Sequence, residues 1–545
     1  MSMLLPKDVI EQYQSAKDGR SAWEGLWQDC YDFALPSRDS AVRGESLGPR
    51  RGDRLFDGTA PDAVDQLAAS MMSQLTPPGG RWFGFSVGPD VQPGDRAELG
   101  AALERSTAIM QSHFERSNFA VEMHQCYLDL VTAGTACLLL EEAPPGEPSA
   151  FRFTAVPLAH AVLEEGPGGR LDLTYRRCEL TPAQLRARFQ PSADMERILG
   201  RQDRRTDQRI AVIEAVIPDG NGYGYAAVAE TCTDRDGEPF VLAEGRFSSS
   251  PFINFRWLKA PGEIYGRSPV MKALPDIRTA NKVVELVLKN ASIAVTGIWQ
   301  ADDDGVINPA TIKLLPGTII PKAVGSAGLT PLQAPGRFDV SELVLNQLRE
   351  RIRKALFVEQ LGQIDGPRMT ATEVLQRAAE IARVLGAAYG RLQSELIAPL
   401  VSRARSIHAR RGEIEDFPLD HRIVALDHRS PQARFQAQLD VQNTLMWLES
   451  VRNLGPEGLA AIDPQATARW LGTSLGVPVE LMREAPVAAV PDRRAPAIPA
   501  PGEPLPTTGA GGDATSATEP AGTKAEALLA AFLRQLATPA TPGNR

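Results

Sequence analysis

The stretch Gly262-Glu263-Ile264-Tyr265-Gly266-Arg267-Ser268-Pro269, with the run 270–295 behind it, decides how this chain is read. At about 100° per residue, a helix over 269–295 gathers Arg278, Lys282, Glu285 and Lys289 into one narrow stripe. Ala280, Val284, Val287, Ala291 and Ala294 fall on the opposite face. A second helix over about 340–358 repeats the arrangement, with Glu342, Asn346, Arg349 and Arg353 in a stripe opposed by Val344, Leu348 and Ala355. Between them, 298–338 reads as a strand-and-turn insert, so the two helices form an antiparallel pair with a small β-rich module at its tip. Each helix buries one side and keeps the other wet. Such a stripe fits the solvated surface of a helical hairpin. It also fits the wall of a wide channel, where mixed-sign charge makes contacts too weak to hold a sliding phosphate backbone.

Upstream, Tyr13, Ala16, Trp23, Trp27, Cys30 and Tyr31 recur at helical spacing and end before Pro36. Thr59 with Asp62 resembles a capping box opening a second helix, which Thr76-Pro77-Pro78-Gly79-Gly80 stops. A strand over 81–85, helices over 96–117 and 119–133, and strands over 135–140, 151–156, 161–163, 171–176, 210–217, 223–231 and 252–257 follow. A short helix over 181–189 takes Thr181 as cap and Pro182 as its first residue. Downstream, helices are predicted over 370–408, 433–448 and 465–475. Residues 485–523 are dominated by Pro, Ala, Gly and Thr, a composition unable to bury enough apolar surface to offset ordering entropy. Leu528, Leu529, Phe532, Leu533 and Leu536 then form one apolar stripe on a short helix. The fold class is α+β.

The 545 residues, 43% hydrophobic and 23% charged, have the composition of a globular protein of three or four units at about 150 residues each. A formal net charge of −9 argues against a generic nucleic-acid binder, because nonspecific affinity comes from clustered Lys and Arg. Five cysteines, widely spaced and without a C-x-x-C pair, read as buried free thiols. The N-terminus lacks a secretory pattern, and Glu285 and Lys289 break the apolar run 283–295, so no stable membrane association is expected.

Phosphate-loop, H-E-x-x-H and G-x-S-x-G signatures are absent, and no catalytic residue, cofactor or metal site is expected. Gly220-Asn221-Gly222-Tyr223-Gly224 joins strands and reads as a hairpin turn instead of a dinucleotide loop. Asp302-Asp303-Asp304-Gly305 lacks the closing Glu of a calcium loop, Lys313 standing in its place, and reads as an acidic solvated turn. The pairs Asp420-His421-Arg422 and Asp427-His428-Arg429 read as surface or ion-pairing groups.

Several segments in order resemble the head-to-tail connector (portal) family of short-tailed bacteriophages. They are Tyr31-Asp32-Phe33-Ala34-Leu35-Pro36, Leu55-Phe56-Asp57-Gly58-Thr59-Ala60, Ser73-Gln74-Leu75-Thr76-Pro77-Pro78-Gly79-Gly80-Arg81-Trp82-Phe83, Val156-Pro157-Leu158, 171–189, the opening stretch 262–269, Arg368-Met369-Thr370-Ala371-Thr372-Glu373-Val374 and Gly476-Val477-Pro478. The resemblance implies a twelve-subunit ring, a homo-oligomer at one capsid vertex of the virion that is assembled in the host cytoplasm. It divides the chain into a mixed α/β wing (1–262), stem helices (263–297 and 339–358) around a clip (298–338), and a channel loop (359–369). A long wing and crown helix (370–410), a crown (411–486), a flexible linker (487–523) and a C-terminal amphipathic helix and tail (524–545) complete it.

The resemblance further implies double-stranded DNA in the channel, lined by Arg278, Lys282, Glu285, Lys289, Glu342, Asn346, Arg349 and Arg353, with Gln360, Gln363 and Arg368 on the loop. Its partners would be a large terminase and tail adaptor proteins docking at Asp302, Asp303, Asp304 and Lys313 of the clip, together with major capsid and scaffolding proteins. Some relatives carry a C-terminal helical barrel, a pattern that the Pro/Ala tether here departs from.

Overall fold

A computed structural model describes residues 5–38, 54–92, 95–189, 195–196, 209–220, 222–233, 239–296, 299–301, 324–325, 329–331, 338–358, 386, 388–428, 431–453 and 462–475. The expected channel-loop residues Gln360, Gln363 and Arg368, the clip residues Asp302, Asp303, Asp304 and Lys313, the start of the helix over 370–408, and everything after 475 lie outside the described residues. The chain divides into two compact units, one of residues 1–73, 118–141 and 152–403, the other of 74–117, 142–151 and 404–545.

The first unit is built on a five-stranded antiparallel sheet of β4 (Ala161–Glu164), β5 (Leu173–Leu180), β6 (Ile210–Asp219), β7 (Gly222–Thr233) and β8 (Pro239–Phe247), in that order. Strand β6 reads Ile-Ala-Val-Ile-Glu-Ala-Val-Ile and is buried on both faces, so alternate residues feed two cores. Ile213 and Ala215 meet Val9, Tyr13 and Ala16 of α1 (Pro6–Ala34), while Ile210 and Val212 meet Leu185 and Phe189 at α5 (Pro182–Arg188). As the sequence predicts, Thr181 caps α5 with Pro182 next, and the Gln184 side chain completes a capping box. The β6–β7 connection is the expected hairpin: Asp219 pairs with Gly222, and Gly220 sits at φ +58°. Strand β8 is not among the strands expected from the sequence.

Three further strands, β2 (Thr135–Glu142), β3 (Phe151–Val156) and β9 (Phe252–Arg256), form a sheet in the order β3-β2-β9. Helix α4 (Phe119–Ala133) leads into β2 through Gly134 at φ +79°. Helix α2 (Thr59–Leu75) starts differently from the Thr59–Asp62 capping box expected. Thr59 is itself helical, and its amide donates to the Asp57 carboxylate at 3.0 Å, so the cap comes from two residues upstream. The helical pair is present as α6 (Pro269–Thr296) and α7 (Phe338–Ala355). Of the insert between them, β10 (Trp299–Ala301) and β11 (Leu329–Pro331) pair antiparallel.

The second unit contains α3 (Arg96–Arg116) and an antiparallel pair of β1 (Phe83–Val87) with β12 (Val424–His428). Trp82, Phe83, Phe85, Phe114, Phe151 and Phe417 form its aromatic core. Helices α8 (Ala398–Arg411), α9 (Pro431–Asn453) and α10 (Pro464–Leu475) follow, α8 being continuous with a π-turn at Gln393–Ile397.

Candidate functional site

The opening stretch 262–269 seats helix α6 in the first unit. Ser268 caps α6, its hydroxyl accepting from the Met271 amide at 2.9 Å and donating to the Thr132 carbonyl at 2.8 Å, and Pro269 follows at the first helical position. A Cβ on Gly266 would lie 2.1 Å from the Gly134 carbonyl oxygen, so only glycine permits this approach. Tyr265 is buried edge-on against Trp27, with ring centroids 4.9 Å apart, and its hydroxyl accepts from the Leu163 amide at 3.1 Å. The family-like residues of this stretch are therefore the ones that fasten α6.

Beneath the stretch lies a charge hub invisible in the sequence. Arg256, at 0% exposure, donates to Glu395 at 2.6 Å, to Glu165 at 3.1 Å and to the carbonyls of Ile264 and Gly169 at 2.9 Å each. Glu395 also accepts from Arg391 and from the Arg256 amide. It sits within the π-turn, where one extra residue in the turn shifts its direction relative to an α-helix. Burial depresses the Arg256 guanidinium's basicity, but the two carboxylates outweigh it and leave its pKa raised.

The expected stem stripe divides into two parts. At its root, Val270, Ala273, Leu274, Ile277 and Ala280 of α6 and Leu348, Ile352 and Leu356 at α7 are buried. Here Arg278 pairs with Asp29 and lies over the Phe33 ring, Arg349 pairs with the buried Asp57 at 2.8 Å, and Asp276 pairs with Arg351 at 3.0 Å. Asn281, which carried no sequence signal, accepts from the Phe56 and Asp57 amides and donates to the Arg54 carbonyl. Burial pushes the Asp57 carboxyl up, but bonds from Thr59 and Arg349 more than offset this and hold it below its ordinary value.

Farther along, Lys282 at 61% exposure and Lys289 at 64% both reach Glu285 and, among the described residues, have no other charged partner. Glu342, Asn346 and Arg353 of α7 are exposed as well. Hydrogen bonds from Lys289 and Lys282 lower the Glu285 pKa. Leu286, Leu288, Leu343 and Val344 are also exposed. Val344, expected on the packed face, is 41% exposed because the buried contacts of α7 begin one turn later, at Leu348. The structure thus brings Arg278 and Arg349 to the body of the first unit and leaves Lys282, Lys289, Glu342, Asn346 and Arg353 facing solvent.

A profile of the family described as "Bacteriophage head to tail connecting protein" matches residues 6–482, which include every element of this arrangement. The chain belongs to that family. It is 25% identical over 502 residues to the "Probable portal protein" of Bordetella phage BPP-1, covering 87% of this chain and 88% of that protein. To the "Portal protein" of Salmonella phage epsilon15 it is 24% identical over 518 residues, covering 89% and 90%. To that of Enterobacteria phage T3 it is 24% identical over 407 residues, covering 71% and 72%. The protein is a portal, or head-tail connector, of α+β fold and a component of a phage virion. Among the described residues no helix is long and apolar enough to cross a membrane.

Proposed function

We propose that twelve copies of this portal close into a ring at one capsid vertex, with the far half of the stem facing a channel that passes double-stranded DNA. The observation that carries the reading is where the exposed leucines lie. At about 100° per residue, Leu286 and Leu288 fall roughly 70° and 90° to either side of the stripe containing Lys282, Glu285 and Lys289. A neighbouring subunit on each flank would cover them, each half-exposed leucine contributing about 1 kcal/mol as its remaining surface is buried, and would leave the charged stripe toward the axis. A mixed-sign lining of Lys282, Glu285, Lys289, Glu342, Asn346 and Arg353 attracts phosphate weakly and releases it, as a conduit requires.

In the same reading Arg278 and Arg349 act as anchors at the channel's wall, through Asp29 and Asp57. The clip at 298–338, with Asp302, Asp303, Asp304 and Lys313, docks the large terminase and later the tail adaptors, and 359–369 with Gln360, Gln363 and Arg368 forms a loop near DNA. Capsid and scaffolding proteins surround the ring, which is assembled in the host cytoplasm, and the chain works as a scaffold without catalysis of its own.

The test is complementation of a phage lacking this gene with Lys282→Glu and Lys289→Glu together. Rings that assemble and enter capsids while the DNA content per particle falls support the reading. Normal packaging by the charge-reversed stem overturns the channel-facing assignment.

A further inference from the structure

The second unit contains a side-chain cluster unrelated to the stem: His113 of α3, His408 of α8 and Glu413, with ligand-type atoms all within 4.8 Å of one another. Two imidazoles and a carboxylate at this spacing resemble a metal site, so the deciding question is where the protons lie. His113 Nδ1 accepts the Ala150 amide hydrogen at 2.9 Å, so the neutral ring carries its own proton on Nε2, 3.7 Å from Glu413 Oε2. His408 Nδ1 is 2.5 Å from Glu413 Oε2 and donates to it, while His408 Nε2 is buried without a hydrogen-bond partner. A metal-bound imidazole needs its other nitrogen to donate, usually to a carbonyl or carboxylate. His113 faces a donor instead, and the arrangement suits two neutral rings and one carboxylate better than a metal.

That arrangement makes each ring intolerant of a second proton. On His113 it would have to sit on Nδ1, against the Ala150 N–H. On His408 it would have to sit on Nε2, which has no acceptor and lies in a ring cluster with Phe151 and His113 at centroid distances of 4.8 and 4.6 Å. We propose that His113, His408 and Glu413 form an acid-released latch, which clasps the segment 142–151 to α3 and α8 while both imidazoles are neutral and lets it go when either is protonated. The clasp to α3 is made of named bonds, Ala150 N–H to His113 Nδ1 at 2.9 Å and Ser149 Oγ to the His113 carbonyl at 2.8 Å, while Ala143 N–H to the Ala150 carbonyl at 2.9 Å closes the segment on itself.

The charged groups around it favour the neutral state. Arg116 faces His113 from α3, and Arg411 faces both rings from the end of α8 while bonding Glu413 at 2.7 Å. Arg410 and Arg411 also engage Glu142 at the start of the clasped segment, at 2.6 and 3.7 Å. Burial first, and then His113 and Arg411, bring His408 down from 6.5 to about 4 in spite of Glu413, and burial lowers His113 also. Because the folded values lie below the ordinary one, the opened form takes up protons first. The latch is therefore at full strength above pH 6.5 and weakens as pH falls toward about 4.

Hydrogen exchange on the full-length protein, corrected for intrinsic rates, tests this. Between about pH 7 and pH 4.5, the protection of a peptide covering 142–151 should fall about tenfold per pH unit for each proton taken up. A peptide from β6 and β7 should hold constant. In His113→Asn with His408→Asn, the amides can keep the bonds to Ala150 and Glu413 but cannot titrate, so the pH dependence should vanish. Constant protection of 142–151 in the native chain overturns the latch by itself, whether or not the variant folds. So does unchanged pH dependence in the variant, or a gain in protection when zinc is added to the native protein.

Discussion

Arg256 and Lys282 are both cations of the first unit that pair with glutamate, and they have opposite jobs. Arg256 is fully enclosed, with every donor direction answered by Glu395, Glu165 or a carbonyl, whereas Lys282 is 61% exposed and, among the described residues, pairs with Glu285 alone. A buried charge is tolerated only when its partners are fixed, so removing one member leaves the rest uncompensated. An exposed pair in water gains little, which leaves the side chain available to other charges. Burial therefore separates a charge that organises the fold from one available for function.

The sharpest way to break that contrast is Arg256→Ala, expected to destabilise the first unit by about 3–5 kcal/mol in urea unfolding. A loss as small as that of a surface substitution would show that the hub does not organise the fold. Next, Gly266→Ala forces a Cβ against the Gly134 carbonyl and should cost about 1–3 kcal/mol or prevent folding. Unchanged stability would mean that the 262–269 stretch does not fasten α6 as described.

Smaller again is Arg349→Ala on α7, expected to cost about 1–3 kcal/mol. The Asp57 carboxyl is held below its ordinary 3.8, so this pair's contribution is complete above that value and disappears as pH falls through the lowered one. The difference between native and Arg349→Ala melting temperatures should accordingly narrow in acid and stay level from about pH 5 upward. The smallest effect is on the stripe: Lys282→Ala with Lys289→Ala should leave the melting temperature of the isolated protein where it was, and a large drop would place these lysines among the anchors.

The same contrast governs what could be read in the sequence. Helices α6 and α7, α5 with its Thr181 cap and the hairpin at Gly220 were legible because their signals are local: a repeat near 3.6, a cap followed by proline and a glycine-rich turn. The anchors were not legible. Arg256 lies 139 residues from Glu395, and Arg349 lies 292 from Asp57, so no window contains both partners. On a helical wheel Arg349 is indistinguishable from Arg353, because the pattern records which face is polar and not which polar residue finds a distant carboxylate.

Pairing of β1 with β12 spans most of the chain and was missed for the same reason, since Val424-Ala425-Leu426 is short and flanked by the charged Asp420-His421-Arg422. In that flank the Asp420 carboxylate accepts from the Arg422 and Ile423 amides and Arg422 pairs with Asp90 at 2.8 Å, as the ion-pair reading expected. The π-turn has no sequence signature, and it coincides with Glu395, which bonds the distant Arg256.

Electron microscopy of the purified full-length protein, at a resolution that places side chains, is the most direct test of the stem as a channel wall. Closed rings with Lys282, Glu285 and Lys289 toward the axis and Leu286 and Leu288 covered by neighbouring subunits are the expected result. Rings in which that stripe lies against a neighbour or on the outer surface, or particles that remain single chains, would contradict it.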